Sequence, residues 1–237
     1  MTAQYIIHPI GLTKGPRDLS QYTYRMNSNV PCESVCYIWY LDGSQPKTIV
    51  DAGMLKGIDP ELTSVEEAFS EMGMTPEDID IVILTHLHAD HISLGRLFKK
   101  AKFILQKKEM DYALHPHPLD APLYIKKFWE NLNFEIIEGE KQIIPGVSVI
   151  STPGHTPGGQ SVEVDTSDGK AIITGFCCHL RTFQQTEFMK KQGWEVSIPL
   201  IHTDARECYD SVLKVKKRAD IIIANHDVAY VGKKEIP

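Results

Sequence analysis

Long apolar runs are missing from this 237-residue chain, and nowhere does a stretch reach membrane-spanning length, which argues against a spanning helix. The opening segment MTAQYIIHPIGLTKGPRD carries neither a basic leader nor an apolar run of export type, so a soluble, cytoplasmic protein is expected. A sustained Lys/Arg stripe is also lacking and the net charge is −6. Polyphosphate backbones find no electrostatic footprint, which makes nucleic acid a poor partner and leaves a small molecule as the expected one. Cysteine is scarce and odd in number: Cys32, Cys36, Cys177, Cys178 and Cys208 form no disulfide framework and read as thiols of a reducing compartment. No short repeat or low-complexity segment is visible. What remains is a chain with 42% hydrophobic residues, enough for one substantial core. A single domain over 1–237 is expected, as a monomer or homodimer.

Turn residues and hydrophobic spacing divide the chain. Strands are expected at Tyr5 to His8, at Ser34 to Leu41, and at Lys47 to Val50, the last two forming a hairpin. Between the first two, Arg17 to Pro31 is too irregular in period for either helix or strand and reads as a long loop. Thr63 to Met72 has helical spacing, and Thr75 to Asp78 supplies a cap, a first-turn proline and early acids for a second short helix. Asp80 to Leu84, Lys102 to Gln106 and Glu135 to Ile137 read as strands, Lys108 to Leu114 and Ala121 to Leu132 as helices. Ile143 to Ile150 reads as one strand interrupted at Pro145-Gly146. A second hairpin is expected over Gln160 to Asp165 and Lys170 to Thr174, then an amphipathic helix from Asp204 to Arg218 and a strand from Ile221 to Ala224. The order suggests two sheets packed face to face with helices outside and polar loops along one edge.

The chemistry concentrates in those loops. His86, His88, Asp90 and His91 lie within six residues, THLHADH being preceded directly by a buried strand. Alternate residues of an extended segment point the same way, so His86 and His88 can grip one divalent ion through neutral imidazole nitrogens. Asp90 and His91, past the bend, can reach a second. Mixed imidazole and carboxylate ligands suit Zn²⁺, Fe²⁺ or Mn²⁺, with zinc the default. His155 in PGHTPGG is a third ligand candidate for the first ion, and His226 in IIIANHD a candidate for the second. Taken alone each is more simply a satisfied histidine; beside the upstream motif the balance reverses. Asp51, closing IVDAG, is either a turn former or a carboxylate holding a ligating imidazole from behind.

Together THLHADH, TPGHTPGG, the VDAG strand end and the late NHD resemble the metallo-β-lactamase superfamily, and within it the branch that opens N-acyl homoserine lactones. The resemblance implies an α/β fold of the αββα sandwich type, two mixed β-sheets flanked by helices. It implies that His86, His88 and His155 bind one ion, and Asp90, His91 and His226 the other. The family usually adds an aspartate bridging both ions. Phe176 stands at that position in TGFCCH, and phenylalanine cannot ligate. Cys177 could supply a thiolate if the loop shifts by one residue. Alternatively two ions could share only non-protein ligands, or the site could hold one ion. The bland reading is that Cys177 and Cys178 are small buried residues. His179 falls where the resembling lactonases place a tyrosine that contacts the substrate carbonyl, and could donate the same hydrogen bond.

The expected activity is therefore hydrolysis of an ester-like bond, a lactone, by hydroxide that the ion makes available near neutral pH. Asp90 would shuttle the proton to the departing alkoxide and His179 would assist at the carbonyl. Tyr22, Tyr24 and Met26 would wall an acyl pocket. Two rivals stand beside it. Loss of the bridging carboxylate favours a mononuclear iron oxidoreductase of the same fold. A metal-dependent ligand-binding protein without catalysis is the other.

Overall fold

The computed structural model describes residues 3–55, 57, 59 and 62–237. Strand β1 (Ile6–Asp18) pairs antiparallel with β2 (Pro31–Asp42), with a bulge between Gly11 and Thr13. It runs far past the expected His8. Pro9, Gly11, Gly15 and Pro16 read as breakers, yet β1 lies at a sheet edge, where a proline costs the ladder nothing on its open side. The expected long loop shrinks to the residues between Asp18 and Pro31, with one 3-10 turn at Leu19–Gln21.

β3 (Thr48–Val50) completes the first hairpin, and β4 (Ile81–Ile83), β5 (Lys102–Gln106) and β6 (Phe134–Ile137) add in parallel, giving the order β1-β2-β3-β4-β5-β6. The second sheet runs β11-β10-β9-β8-β7. It contains β7 (Lys141–Ile144), β8 (Val147–Ser151), β9 (Gln160–Thr166), β10 (Gly169–Ile173) and β11 (Ile221–Ile223). β7 and β8 are the segment expected as one interrupted strand. They form a hairpin instead, because Gly146 takes φ +78 and reverses the chain.

The strand pattern sorts side chains by face. Val35, Tyr37, Trp39 and Leu41 of β2 alternate into the space between the sheets, against Val147, Val149, Val162, Val164 and Ile173. Ile38 and Tyr40, on the opposite face, meet Val65 and Phe69 of α1 (Val65–Glu71). That helix begins two residues after the expected Thr63, because Ser64 and Glu67 form a capping box that fixes its start. α5 (Ala205–Arg218) covers the outer face of the second sheet, placing Cys208, Val212 and Val215 on Ile150 and Ile172. Each large apolar side chain withdrawn in this way contributes about 1.5–3 kcal/mol. The result is a four-layer αββα sandwich of two mixed sheets.

Two helical expectations change. Ala121 to Leu132 is not a helix but two 3-10 turns, Ala121–Leu123 and Lys126–Phe128. Tyr124 between them is drawn inward, its hydroxyl donating to the buried Glu109 carboxylate at 3.1 Å, and this contact overrides the local helical propensity. A short helix α4 (Glu187–Gln192), capped by Thr186 and closed by Gly193 at φ +71, lies in a stretch given no element from the sequence. Among the described residues, no helix is long and apolar enough to cross a membrane.

Candidate metal centre

Every histidine of interest sits just beyond a strand end. β4 runs into Thr85-His86-Leu87-His88, which then turns into α2 (Ala89–Ile92), carrying Asp90 and His91. β8 runs into His155, β10 into the Phe176 to His179 segment, and β11 into Asn225-His226-Asp227. The parallel pair β10 and β11 brings the last two loops to the same edge. Close backbone approach needs glycine here: a Cβ on Gly158 would stand 2.0 Å from the backbone N of Glu109, and one on Gly175 would stand 1.8 Å from the carbonyl oxygen of Gln160.

His86, His88 and His155 converge so that one nitrogen from each lies within 4.8 Å of the other two. All three are buried, and the Nε2 of His86 has no hydrogen-bond partner in the protein. A buried orphan nitrogen is costly unless something occupies the space it faces. The ring orientations are fixed from behind. His155 Nδ1 lies 2.7 Å from the Ile201 carbonyl, and His86 Nδ1 lies 3.0 Å from the Thr85 hydroxyl. Burial and the neighbouring imidazoles hold His86 and His88 well below the usual histidine range, and burial takes His155 down to about 4. Neutral imidazoles crowded together are what a divalent cation requires.

A second set adjoins the first. Asp90 Oδ2 lies 3.5 Å from His91 Nε2 and 3.7 Å from His226 Nε2. The Nε2 of His91 is buried and, like that of His86, makes no hydrogen bond. Burial pushes the Asp90 carboxyl up, but His91, His226 and His88 outweigh it and leave Asp90 well below the usual carboxylate range. Burial lowers His91, yet Asp90 and Asp51 override it and raise this imidazole to about 9. His226 is taken down to about 4 by burial, and its Nδ1 is 3.1 Å from the Val35 carbonyl. The structure thus brings together His86, His88 and His155 in one group, and Asp90, His91 and His226 in another. Burial first, and the Asp90 carboxylate second, push the Cys177 thiol up, but among the described residues Cys177 joins neither cluster of ligand atoms.

Residues behind the ligands complete the frame. Asp51 Oδ2 is 2.7 Å from His91 Nδ1, and its carboxylate also accepts from the Thr85 amide at 2.8 Å, the Thr85 hydroxyl, and Asn225 Nδ2 at 3.0 Å. It does this from a left-handed backbone, φ +59, which a non-glycine residue adopts only when its surroundings demand it. Of the two sequence readings of Asp51, the carboxylate behind an imidazole is the one seen. Asn225 Oδ1 in turn accepts from Trp39 Nε1 at 2.9 Å, tying the site to the inter-sheet core.

Glu109, in the first turn of α3 (Lys107–Leu114), was missed from sequence. It is fully buried and accepts from the amides of Leu87 at 3.0 Å and Gly158 at 3.1 Å, joining the THLHADH loop to the PGHTPGG loop. Its only sequence signal is an acid four residues before Ala113, on the helix face that turns inward.

Phe176 is 1% exposed and buries its ring among Cys178, Phe183, Val196 and Ile198, in the core beneath α5. His179 Nδ1 lies 2.7 Å from Asp227 Oδ2. The Tyr22 ring lies 5.9 Å from that of His179, whereas Tyr24 lines a separate cavity of about 560 Å³ with Trp194, Val196, Ile198 and Tyr209. Met26 is set against Thr186, its sulfur 3.9 Å from the hydroxyl.

The chain is similar to known proteins in sequence and in fold. The sequence profile of the Metallo-beta-lactamase superfamily covers residues 33–226. An N-acyl homoserine lactonase of a Bacillus species is 28% identical over 204 residues, 79% of this chain and 76% of the relative. A probable metallo-hydrolase of Methanocaldococcus jannaschii is 29% identical over 168 residues, 70% of this chain and 66% of the relative. Among solved structures, a quorum-quenching N-acyl homoserine lactone lactonase superposes with a TM-score of 0.78 at 24% identity, over 100% of both chains. A dizinc quorum-quenching lactonase, AidC, superposes with a TM-score of 0.70 at 17% identity, over 100% of this chain and 95% of its own. With the profile spanning most of the chain, and with two groups of metal-ligating side chains at the edge of an αββα sandwich, the chain belongs to the metallo-β-lactamase superfamily and is a lactonase-like metallo-hydrolase within it.

Proposed function

We propose that the protein hydrolyses a small-molecule lactone of the N-acyl homoserine type, using zinc. The observation that carries this reading is the adjacency of the two ligand groups, His86, His88 and His155 on one side and Asp90, His91 and His226 on the other. Two such groups suit a centre for two ions better than the single iron of an oxidoreductase, and the lactonase relatives support the bond type. A divalent ion held there supplies Lewis acidity toward a carbonyl and lowers the pKa of water.

The chain's own side chains do the rest. Asp90, ionised and half-buried between two imidazoles, is placed to take a proton from attacking water and return it to the departing alkoxide. His179, its Nδ1 held by the Asp227 carboxylate, donates a hydrogen bond from Nε2 to the developing oxyanion when both ring nitrogens carry protons. Burial of the ligands excludes competing water and strengthens these charge interactions.

The direct test is ring opening of N-acyl homoserine lactones of graded acyl length, followed by acid release. Zinc-loaded protein should turn them over and chelator-stripped protein should not. Turnover of simple esters or thioesters with no lactone opening at any acyl length would refute the lactone reading while leaving a metallo-hydrolase in place.

A further inference from the structure

Phe176 removes the carboxylate that the superfamily resemblance led one to expect between the two ligand groups, and its neighbour Cys177 joins neither of them. A different thiol does. The sulfur of Cys36, a carboxylate oxygen of Asp90 and an imidazole nitrogen of His226 all lie within 4.8 Å of one another. We infer that Cys36 is a metal ligand, supplying a thiolate from β2 to the ion held by Asp90 and His226.

The fold explains why that thiol is delivered there. Val35 donates its amide to the His226 carbonyl at 3.1 Å, and the Val35 carbonyl lies 3.1 Å from His226 Nδ1, so the residue before Cys36 is clamped to the ligand from both sides. With Nδ1 engaged, His226 Nε2 keeps its lone pair for a cation. Strand alternation sends Val35 and Tyr37 into the space between the sheets and Cys36 to the opposite face, where α2 packs across β2 and presents Asp90. His91 stands beside this group: its buried Nε2, which makes no hydrogen bond, lies 3.5 Å from Asp90 Oδ2.

Cysteine, aspartate and histidine are zinc-type ligands, and one thiolate with one carboxylate neutralises a divalent charge. As the sulfur–metal bond forms, the thiol proton passes to solvent, with no change of oxidation state. The inference rests on this being a metal centre and is independent of which bond the enzyme cuts.

The test is cobalt(II) replacement of the native ion, in the wild type, Cys36→Ser and Cys177→Ala, with the metal content of each measured. The sulfur-to-cobalt charge-transfer band should be present in the wild type and in Cys177→Ala, and absent in Cys36→Ser. Loss in both variants would still support Cys36 as a ligand. Retention in Cys36→Ser, or a wild type that binds cobalt with no such band, would overturn it. A wild type that binds no metal at all would overturn the metal centre itself, which separates the two failures. Should Cys36→Ser not fold, zinc X-ray absorption of Cys177→Ala decides the matter. Sulfur at about 2.3 Å supports Cys36, and a shell of nitrogen and oxygen alone overturns it.

Discussion

His179 and Asp227 are 48 positions apart in sequence and meet with Nδ1 2.7 Å from Oδ2. Asp227 also accepts from the amides of Leu180 at 2.7 Å and Ala229 at 2.9 Å, so the carboxylate is itself held in place. Burial raises its pKa, but the His179 contact and these two amides prevail and keep it below the usual carboxylate range. His179→Ala should lower kcat by about 10²-fold with less change in KM, as loss of a hydrogen bond realised mainly in the transition state does. Asp227→Asn should lower kcat by about 10-fold or more, and the double variant should fall no further than His179→Ala. Additive losses in steady-state kinetics at full metal occupancy would show that the two residues act separately.

Asp51 predicts a loss in metal binding. Removing the carboxylate behind a ligating imidazole typically costs about 10–100-fold in affinity, and Asp51 also holds Thr85 and Asn225. Asp51→Ala should therefore release its ion to a competing chelator at concentrations that leave the wild type loaded.

Acid should destabilise the metal-free protein. His155 and His226 are lowered to about 4 from the ordinary 6.5, so between those values the unfolded chain binds more protons than the folded one. Stability from these residues is complete above pH 6.5 and is lost as pH falls toward 4. His91 has the opposite sign: raised to about 9, its contribution is complete below pH 6.5 and is lost as pH rises through 9. Thermal melts of chelated protein should peak between the two windows. A melting temperature that stays level from pH 6.5 down to 4 would contradict the assignment.

Restoring the family's bridging acid should fail. The Phe176 ring is enclosed by Phe183, Val196 and Ile198, so Phe176→Asp would bury a carboxylate among apolar side chains and remove an aromatic ring from the core. A loss of about 3–5 kcal/mol is expected from denaturant melts, with no rise in metal stoichiometry.

Much of the fold and of the metal centre is legible in the sequence. Metal ligation announces itself through residue type and spacing, as in THLHADH, and strands with simple alternation, such as Ser34 to Leu41, sort their faces unaided. What resisted were features decided at long range. β1 reads as broken because sequence does not say that it is an edge strand, and Ala121 to Leu132 reads as helical because Glu109 is invisible as the partner of Tyr124. Cys36 carries no local sign of its neighbours: 54 positions separate it from Asp90 and 190 from His226, and only the register of β2 against the late loop unites them.

Glu109 holds Leu87 and Gly158 through one carboxylate, and with them the two loops that carry His86, His88 and His155. Those loops are therefore set in position by a contact that no ion takes part in. One carboxylate thus acts as a latch between the two loops, so that a displacement of either is passed to the other through Glu109.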